Sequence, residues 1–598
     1  MLNSLILLAV LHAWLCKAQI THSIHLDNGT LQGLQCPNSK AYGYLSIPYA
    51  EPPIGDLRLA APSPFKGSYN GSYTNTAPSC FQFGTNFLES GNVSEDCLYL
   101  DIWTPFDGTN ASDLPVKVWI YGGGNTAGGT SDPAYDGCNS AADAVHVSVG
   151  YRLGPLGGLA LPSAGIGGNY HIQDILLGLQ WVQTNIAAFG GDKDKVLLFG
   201  QSAGADNSFV IATLPQAPSL IKATILESGG GEDDQTVEGQ QSYMEAFVAA
   251  LNCSSSDGSC IRSKSAQDMN QALTKLPNDP KVDGSSTLIG PNKNRWHALV
   301  DCDIVPAQPA DVGVKVPTIY GSTTQESTLF VFPLAPGFDP KKYSQAIYDE
   351  YLVRNFGPFA SEVNATYPAS AYNESGEGIY NVMVQVDTDS GYKCPAFRGL
   401  QAAAKNGVAV WTYSWGQAPT CDWYNLIPNA PLFLKAFGAC HTSEVPYVFG
   451  NTEMLAAPNG TCSLSKAEKN LSSTIVRSWN NMAANANPGF WWPQFTFNNT
   501  LGINVENATV TAGVVDYSSC EFWGRINAQI RQNVTAVAYE PTCSGKGSNS
   551  TVGNGNSTST TGAPKPHITT SLASRRIKPD VLPVYQLLFG LGVALLFL

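Results

Sequence analysis

Positive charge is scarce in this sequence. It has 33 lysines and arginines against 47 aspartates and glutamates, which gives a formal net charge of −14. Proteins that bind nucleic acid need clustered basic side chains to neutralise phosphates, so this balance argues against a nucleic-acid partner. Charged residues of both signs make up only 13% of the chain and hydrophobic residues 43%, a composition typical of folded rather than disordered proteins.

Metal-binding patterns are missing as well. The chain contains no HExxH motif and no paired CxxC motifs, two common zinc-binding patterns. We therefore expect no metal and no cofactor. Residues 19–543 show no internal repeat and no second linker, so we predict one large folded domain over this range.

The first 18 residues are typical of a signal peptide, because the apolar stretch MLNSLILLAVLHAWLCKA ends with small residues at Cys16 and Ala18. The cysteines agree with secretion, because an oxidising compartment favours disulfides. Thirteen of the fourteen lie beyond residue 18, and this odd number predicts disulfides with at least one unpaired thiol. Secretion also agrees with twelve Asn-x-Ser/Thr motifs within residues 19–543. Their asparagines are Asn28, Asn70, Asn92, Asn110, Asn252, Asn364, Asn373, Asn459, Asn470, Asn498, Asn507 and Asn533.

The composition changes after Cys543. Residues 544–580 are rich in Ser, Thr, Gly and Asn and predict a linker, whereas residues 581–598 are apolar throughout their length. A membrane-spanning helix usually carries basic residues on its cytoplasmic side, but here the basic stretch RRIK (575–578) precedes the apolar segment. We therefore favour a glycosylphosphatidylinositol attachment signal, with Ser571 as a candidate attachment residue, over a transmembrane helix.

Short β-branched runs alternate with helical stretches along the predicted domain. The runs that predict buried strands are 115–121, 145–151, 195–199, 222–227, 316–320 and 408–415. Residues 174–189, between two of them, have helical spacing. This alternation predicts an α/β fold with a large, mostly parallel central sheet and helices on both faces.

The strongest local signal is Gly200-Gln201-Ser202-Ala203-Gly204, which follows the predicted strand 195–199. A serine on a sharp strand-to-helix turn projects its hydroxyl outward, and glycine two places to either side relieves the crowding. The N–H of Ala203 would then begin a helix and could meet a developing oxyanion. A surface Gly-Ser turn is the alternative, but the position after a buried strand favours a nucleophile.

A second glycine cluster, Gly122-Gly123-Gly124, ends the predicted strand 115–121. Backbone N–H groups there can supply further oxyanion donors, because glycine lets the chain approach a substrate closely. The cluster alone also fits a plain turn. It gains weight only beside a nucleophile turn.

A serine nucleophile needs a base, and folds with this turn place serine, acid and histidine in that order along the chain. Of the eight histidines, only His297 and His441 lie between Ser202 and the linker. We predict His441, because it leaves room upstream for an acid at the end of a strand.

Many carboxylates lie between the predicted nucleophile and base. Glu326 follows the predicted strand 316–320 and would lie at the carboxyl edge of the sheet, near the serine. Asp301 and Asp303 are weaker alternatives, which residue spacing does not exclude.

Six blocks of sequence stand in a characteristic order. They are YLSIPYAEPPIGDLRLAAP (44–62), SEDCLYLDIWTP (94–105), YGGG (121–124), GYRLGPLGGLAL (150–161), WVQTNIAAFGGDKDKVLLFGQSAGA (181–205) and HTSEVPYVFG (441–450). Together they resemble the type-B carboxylesterase and cholinesterase family of α/β-hydrolases. The resemblance covers nearly all of residues 25–525 and implies an α/β-hydrolase fold.

The resemblance implies an enzyme that hydrolyses small-molecule carboxylic esters through an acyl-enzyme, without a cofactor. The residues that it implies are Ser202 as nucleophile, His441 as general base, Glu326 as acid, the backbone of Gly123, Gly124 and Ala203 as oxyanion donors, and Glu444 as a buried supporting carboxylate. It also implies the disulfides Cys80–Cys97, Cys253–Cys260 and Cys394–Cys520. Proximity in sequence alone suggests one further pair, Cys421–Cys440.

The chain departs from the family pattern at Gln201, where many relatives carry glutamate, at Gly150, which replaces a common asparagine, and at Asn125, where an aromatic residue is usual. Gln201 removes a charge beside the nucleophile. The segment between Cys80 and Cys97 also lacks the tryptophan with which cholinesterases bind quaternary ammonium. We therefore expect soluble esters other than choline esters as preferred substrates, and leave lipase activity open.

A protein of a different class remains an alternative. The family also contains adhesion and interaction proteins that keep the fold but lack catalytic residues. This chain keeps all three triad residues, so we favour an extracellular ester hydrolase, secreted or anchored at the cell surface. We expect it to contact a membrane only through its tail or a lipid anchor.

Overall fold

The computed structural model describes most of the chain between residues 21 and 533. The described ranges are 21–37, 39–84, 92–105, 113–276, 296–331, 339–373, 376–421, 423, 437–457 and 460–533. The predicted signal peptide (1–18), linker (544–580) and apolar tail (581–598) lie outside these ranges, as does Ser571. Within them, no helix has the length and hydropathy of a membrane span.

The described residues form strands β1 to β19. In chain order these are Thr21–Leu26, Gly29–Gln35, Tyr42–Pro48, Tyr69–Ser72, Ser79–Cys80, Val93–Ser94, Tyr99–Thr104, Leu114–Ile120, Val145–Val149, Ala160–Leu161, Ile166–Gly167, Gly191–Gln201, Ala223–Glu227, Thr318–Thr323, Val410–Trp415, Leu455–Ala457, Gly460–Cys462, Leu501–Glu506 and Thr509–Val514.

The same part of the chain forms helices α1 to α16. In chain order these are Gly154–Gly158, Tyr170–Asn185, Ala203–Thr213, Ala217–Leu220, Val237–Ala250, Gly258–Ser263, Ala266–Lys275, Pro309–Val312, Thr328–Val331, Gln345–Phe356, Ala360–Thr366, Gly378–Thr388, Cys394–Lys405, Val445–Phe449, Lys466–Asn485 and Cys520–Asn533. A π-helical turn, Asp389–Lys393, joins α12 to α13.

Thirteen strands form one mixed sheet in the order β1-β2-β3-β7-β9-β8-β12-β13-β14-β15-β18-β19, with β4 beside β2. Its centre, from β9 to β18, pairs in parallel, and the strands that flank this centre in the main order pair antiparallel. The predicted α/β class, with a mostly parallel centre and helices on both faces, is confirmed.

All six predicted strands are present, as β8, β9, β12, β13, β14 and β15, with ends that differ by a few residues from the prediction. The predicted helix 174–189 corresponds to α2 and the short 3-10 helix Ile186–Phe189 that follows it. The sequence pattern did not predict the antiparallel edge strands. Residues of β9 are all buried, whereas β2 is mostly half-buried and β19 is largely exposed, so these flanking strands lack the continuous apolar runs that reveal the central ones.

Three central strands bring the predicted site residues to one edge of the sheet. Parallel strands end at the same edge, and β8, β12 and β14 end at Ile120, Gln201 and Thr323. Only β13 separates β12 from β14 in the sheet. The segments that follow β8, β12 and β14 therefore lie close together at the carboxyl edge.

Five disulfides join described residues: Cys36–Cys138, Cys80–Cys97, Cys253–Cys260, Cys394–Cys520 and Cys421–Cys462. Three of these are the pairs that the family resemblance implies. The suggested Cys421–Cys440 pair is wrong, because Cys421 is bonded to Cys462 in β17. Cys440 is instead a buried thiol, held at the sheet edge by backbone pairing with Gln325. Closeness in sequence was a poor guide to closeness in space here.

We expect the Cys394–Cys520 disulfide to stabilise the fold more than the Cys253–Cys260 disulfide. The first pair is separated by 126 residues in sequence and the second by 7. Closing the longer loop in the unfolded chain costs about 2.5 kcal/mol more in conformational entropy. Replacing both cysteines by alanine should therefore lower the urea midpoint of unfolding more for the long-range pair. An equal or reversed ranking would contradict this explanation.

Candidate active site

Ser202 lies on a sharp turn between β12 and α3. Its backbone has a φ of 57° and a ψ of −133°, a conformation that non-glycine residues seldom adopt. The Ser202 N–H donates to the carbonyl oxygen of Glu227 at 2.8 Å, which ties the turn to the end of β13. Ser202 itself is partly exposed, although the residues on either side of it are buried. The predicted nucleophile is thus accessible at the sheet edge.

Close packing of β8 against this turn requires the glycines of the motif. A Cβ atom on Gly200 would lie 2.5 Å from the carbonyl oxygen of Gly204, and one on Gly204 would overlap the carbonyl oxygen of Ile120. A Cβ on Gly122 would lie 2.8 Å from the Cβ of Ser202. Any larger residue at these three positions would push the ends of β8 and β12 apart.

The glycine cluster after β8 forms a turn that faces the same edge. Gly123 has a φ of 112° and Gly124 a φ of 63°, values that favour glycine. The Gly123 carbonyl accepts hydrogen bonds from the N–H groups of Thr126 and Ala127, at 3.1 and 3.0 Å, and this closes the turn. Both glycines are partly exposed.

Asn125 fastens this turn to the helix that follows Ser202. Its side-chain amide donates to the carbonyl of Trp296 at 3.1 Å, and its Oδ1 accepts from Nδ2 of Asn207 at 2.8 Å. Asn207 lies in α3, and both asparagines are buried. The asparagine that departs from the family pattern therefore has a structural role. The sequence did not predict the role of Asn207, because nothing in the local pattern pairs it with Asn125.

His441 and Glu326 are in direct contact. The Nδ1 atom of His441 lies 2.6 Å from Oε2 of Glu326, and both side chains are buried. The other carboxylate oxygen of Glu326 accepts from the N–H of Thr323 at 2.6 Å, at the end of β14. The carboxylate can thus hold the imidazole in the tautomer with hydrogen on Nδ1.

The alternative candidates for the acid and the base lie away from the contact between His441 and Glu326. Asp301 closes a local turn by accepting from the N–H groups of Asp303 and Val305, both at 2.9 Å. Asp303 is exposed. The other histidine, His297, contacts Asp206 rather than Glu326, with Nε2 3.7 Å from Oδ2.

Asp206 and His297 form a polar pair beside the turn at Ser202. The Asp206 N–H donates to the Ser202 carbonyl at 3.0 Å, so Asp206 lies in the first turn after the serine. Burial raises the pKa of Asp206 to about 7 and lowers the pKa of His297 to about 4. The histidine is therefore neutral at neutral pH, and its contact with Asp206 is not an ion pair.

Gln201 reaches the second nitrogen of the imidazole. Its Nε2 atom lies 3.0 Å from Nε2 of His441, and the glutamine side chain is buried. Both ring nitrogens of His441 thus have polar partners, Glu326 on one side and Gln201 on the other. The sequence indicates only that Gln201 lacks a charge and does not predict this contact.

Two aromatic side chains also lie beside His441. The ring centroids of Phe330 and Tyr392 are 5.3 and 5.0 Å from that of the imidazole. Phe330 is 44% exposed, whereas Tyr392 is buried in the π-helical turn. The sequence pattern predicted neither contact. Phe330 follows Glu326 by four residues, one helical turn, which is the only local signal that could have suggested it.

Two further carboxyl groups are buried behind this site. The hydroxyl of Ser228 donates to Glu444 at 3.5 Å, and the indole N–H of Trp479 donates to Glu227 at 2.8 Å. Burial, together with the charges of Glu227 and Glu326, raises the pKa of Glu444 well above its usual range. Burial raises the pKa of Glu227 to about 8. Both carboxyls therefore tend to keep a proton at neutral pH.

Comparisons with known proteins identify the family of the chain. The model of the Carboxylesterase family matches residues 20–523. The chain is 31% identical to para-nitrobenzyl esterase from Bacillus subtilis (strain 168), in a match over 75% of this chain and 88% of that protein. It is 29% identical to cholinesterase from Mus musculus, over 84% and 86% of the two chains. It is 27% identical to acetylcholinesterase-1 from Trittame loki, over 84% and 93%.

We expect Glu227→Gln to stabilise the protein at alkaline pH. The folded-state pKa of about 8 lies above the ordinary value of 4.5. The carboxyl therefore favours folding at acid pH, and this contribution is lost as the pH rises through about 8. The amide oxygen of glutamine can still accept from Trp479 and carries no charge that burial would penalise.

Calorimetry should therefore show a higher thermal midpoint for this variant at about pH 9 and little change at about pH 5. Glu453→Gln is a matched control, because Glu453 is exposed and forms a surface ion pair with Lys469 at 2.8 Å. We expect the control to show no gain at alkaline pH. An equal gain for Glu227→Gln at both pH values would contradict the assigned cause.

Proposed function

The chain belongs to the carboxylesterase family, and we propose from this that Ser202 is the nucleophile of an ester hydrolase in which His441 is the general base and Glu326 its orienting acid. The observation that carries the proposal is the 2.6 Å contact of His441 with Glu326 at the sheet edge where the Ser202 turn also lies. A nucleophile, a base and an oriented carboxylate at one edge are what acyl transfer needs.

In the first half-reaction, the Oγ–H bond of Ser202 breaks as Nε2 of His441 takes the proton and Oγ bonds to the ester carbonyl carbon. The carbonyl oxygen becomes an oxyanion. The N–H groups of Gly123, Gly124 and Ala203 are the proposed donors that stabilise it. The imidazolium then gives its proton to the departing alcohol oxygen, and the acyl group stays on Ser202.

Water completes the cycle by the same steps. His441 takes a proton from the water molecule as the water oxygen attacks the acyl carbon. The tetrahedral intermediate then collapses, and Oγ of Ser202 recovers its proton from the imidazolium. Glu326 stabilises the imidazolium in both halves without taking the proton itself.

The side chains around His441 support small esters with an apolar group as substrates. Phe330 and Tyr392 present an aromatic wall next to the base, with Phe330 open to solvent. We propose esters other than choline esters as preferred substrates, because Gln201 brings no charge to the site. The segment from Cys80 to Cys97 also contains no tryptophan to bind an ammonium group.

The test is hydrolysis of p-nitrophenyl esters of increasing acyl length by the full chain and by Ser202→Ala. We expect turnover that falls by about 10⁴-fold or more in the variant, since the nucleophile is lost. A fluorophosphonate should label the wild-type protein at Ser202. Ser219→Ala is the control, because Ser219 is exposed and lies on the short helix α4.

Acetylthiocholine is the comparison substrate. If the folded protein hydrolyses no ester and takes up no fluorophosphonate, the proposal fails and a binding or adhesion role becomes the better explanation. If acetylthiocholine is turned over faster than the p-nitrophenyl esters, the preference proposed for non-choline substrates is wrong, while the nucleophile remains assigned.

We also propose that the protein is extracellular, glycosylated and attached to the cell surface by a lipid anchor. Eight of the motif asparagines are exposed in the described residues, which glycosylation requires. They are Asn28, Asn70, Asn92, Asn252, Asn373, Asn470, Asn498 and Asn507. The five disulfides fit an oxidising compartment.

Expression in a eukaryotic cell tests this proposal. We expect a mature N-terminus at Gln19, a loss of mass on treatment with an N-glycosidase, and release from the cell surface by a phosphatidylinositol-specific phospholipase C. A protein that resists the phospholipase but is extracted by detergent would favour a membrane-spanning tail instead of a lipid anchor.

A further inference from the structure

The imidazole of His441 is held at both nitrogens, and the partner at Nε2 is the residue that precedes the proposed nucleophile. Gln201 places its amide nitrogen 3.0 Å from Nε2. Glu326 places a carboxylate oxygen 2.6 Å from Nδ1. Nε2 is the atom that must accept the proton of Ser202, so the role of Gln201 bears directly on the proposed base.

The chemistry of the two partners selects one tautomer. An amide nitrogen can only donate, and therefore the Nε2 atom that it contacts must be the unprotonated acceptor. A carboxylate can only accept, so the Nδ1 atom beside Glu326 must carry the hydrogen. Both contacts favour the same form of the neutral ring, and this is the form that a general base needs.

A glutamate at this position would act in the opposite sense. Its carboxylate could only accept a hydrogen bond, so it would favour a hydrogen on Nε2 and hence the charged imidazolium. Gln201 and glutamate have nearly the same shape. The difference between them at Nε2 is therefore one of hydrogen-bond direction and charge.

The surrounding backbone leaves room for this amide only because Gly122 has no side chain. A Cβ atom on Gly122 would lie 3.1 Å from Oε1 of Gln201 and 2.7 Å from its carbonyl oxygen. The glutamine is thus packed between the end of β8 and the imidazole. Its side chain is 1% exposed, so bulk water does not compete for the contact.

Other titratable groups also face His441. Glu326 and Tyr392 lie against the ring, and Cys440 and Glu444 flank it along its own segment. Glu326 contacts Nδ1, whereas Gln201 contacts Nε2. A change at position 201 therefore acts directly on the environment of Nε2.

We propose that Gln201 is a positioning residue that fixes the base-competent tautomer of His441 by donating a hydrogen bond to its Nε2 atom. This inference rests on the proposed function. During acylation, Nε2 exchanges the hydrogen bond from Gln201 for the proton of Ser202. The amide N–H bonds stay intact, so only a hydrogen bond is released.

The test is the pH dependence of kcat/KM for a hydrolysed p-nitrophenyl ester, measured for the wild type, Gln201→Glu and Gln201→Met. Methionine keeps the length of the side chain and removes the donor. We expect the acid limb to move to higher pH by about one unit or more in Gln201→Glu, because a carboxylate favours the adjacent imidazolium. Gln201→Met should move it in the same direction by less.

If Gln201 had only a structural role, replacing it would lower kcat/KM at every pH without shifting the acid limb of the pH profile. Thermal unfolding and fluorophosphonate labelling check that each variant is folded. If the profiles of both variants superimpose on that of the wild type after scaling, the inference is overturned. A shift in Gln201→Met alone still supports the inference. In that case the glutamate of Gln201→Glu would be protonated and would donate a hydrogen bond to Nε2 as glutamine does.

A second measurement separates this inference from the proposed function. Diethyl pyrocarbonate modifies only unprotonated imidazole, and peptide mass spectrometry reports the pH at which His441 is half modified. We expect this midpoint to rise in both variants even if no ester is hydrolysed. A midpoint that is unchanged in both variants would overturn the inference, whereas hydrolysis that survives Ser202→Ala would overturn only the assigned nucleophile.

Discussion

The close contact between the ends of β8 and β12 is the constraint on which the candidate site depends. Gly200 and Gly204 let the turn at Ser202 lie against the carbonyl groups at the end of β8, and Gly122 lets β8 approach the serine itself. One region of tight packing thus places the predicted nucleophile, the glycine turn and the amide of Gln201. A side chain at any of these glycines would displace all three together.

A second feature of the site is the burial of carboxyl groups near the base. Glu326, Glu227 and Glu444 are each at most 1% exposed. A charged carboxylate in such surroundings is costly unless it has partners. Glu326 has two such partners, the imidazole of His441 and the N–H of Thr323. Glu227 and Glu444 have fewer polar contacts, and burial raises their pKa values instead.

The helical region over the sheet edge supplies the remaining wall of the site. Tyr392 comes from the π-helical turn before α13, and Cys394 at the start of that helix is bonded to Cys520 at the start of α16. A short segment that carries an aromatic side chain to the base is therefore tied covalently to a helix far along the chain. Irregular helical turns of this kind are frequent at functional sites.

The sequence by itself determined the fold class and predicted the strand-to-helix turn at Ser202. Buried parallel strands require long apolar runs, and a serine turn of this kind requires glycine at fixed spacing, so both leave a local pattern. His441 followed from chain order, because few histidines were available. The edge strands left no such pattern, since they are only partly buried.

Only the tertiary structure decided which groups meet. It brought Glu326 rather than Asp301 into contact with His441. It joined Cys421 to Cys462 rather than to Cys440. It also placed Gln201 and Phe330 against the imidazole. These contacts join residues from distant parts of the chain. The packing of strands and helices decides which residues meet. A local residue pattern indicates the helix or strand that a residue occupies, but it does not indicate which distant residue will contact it.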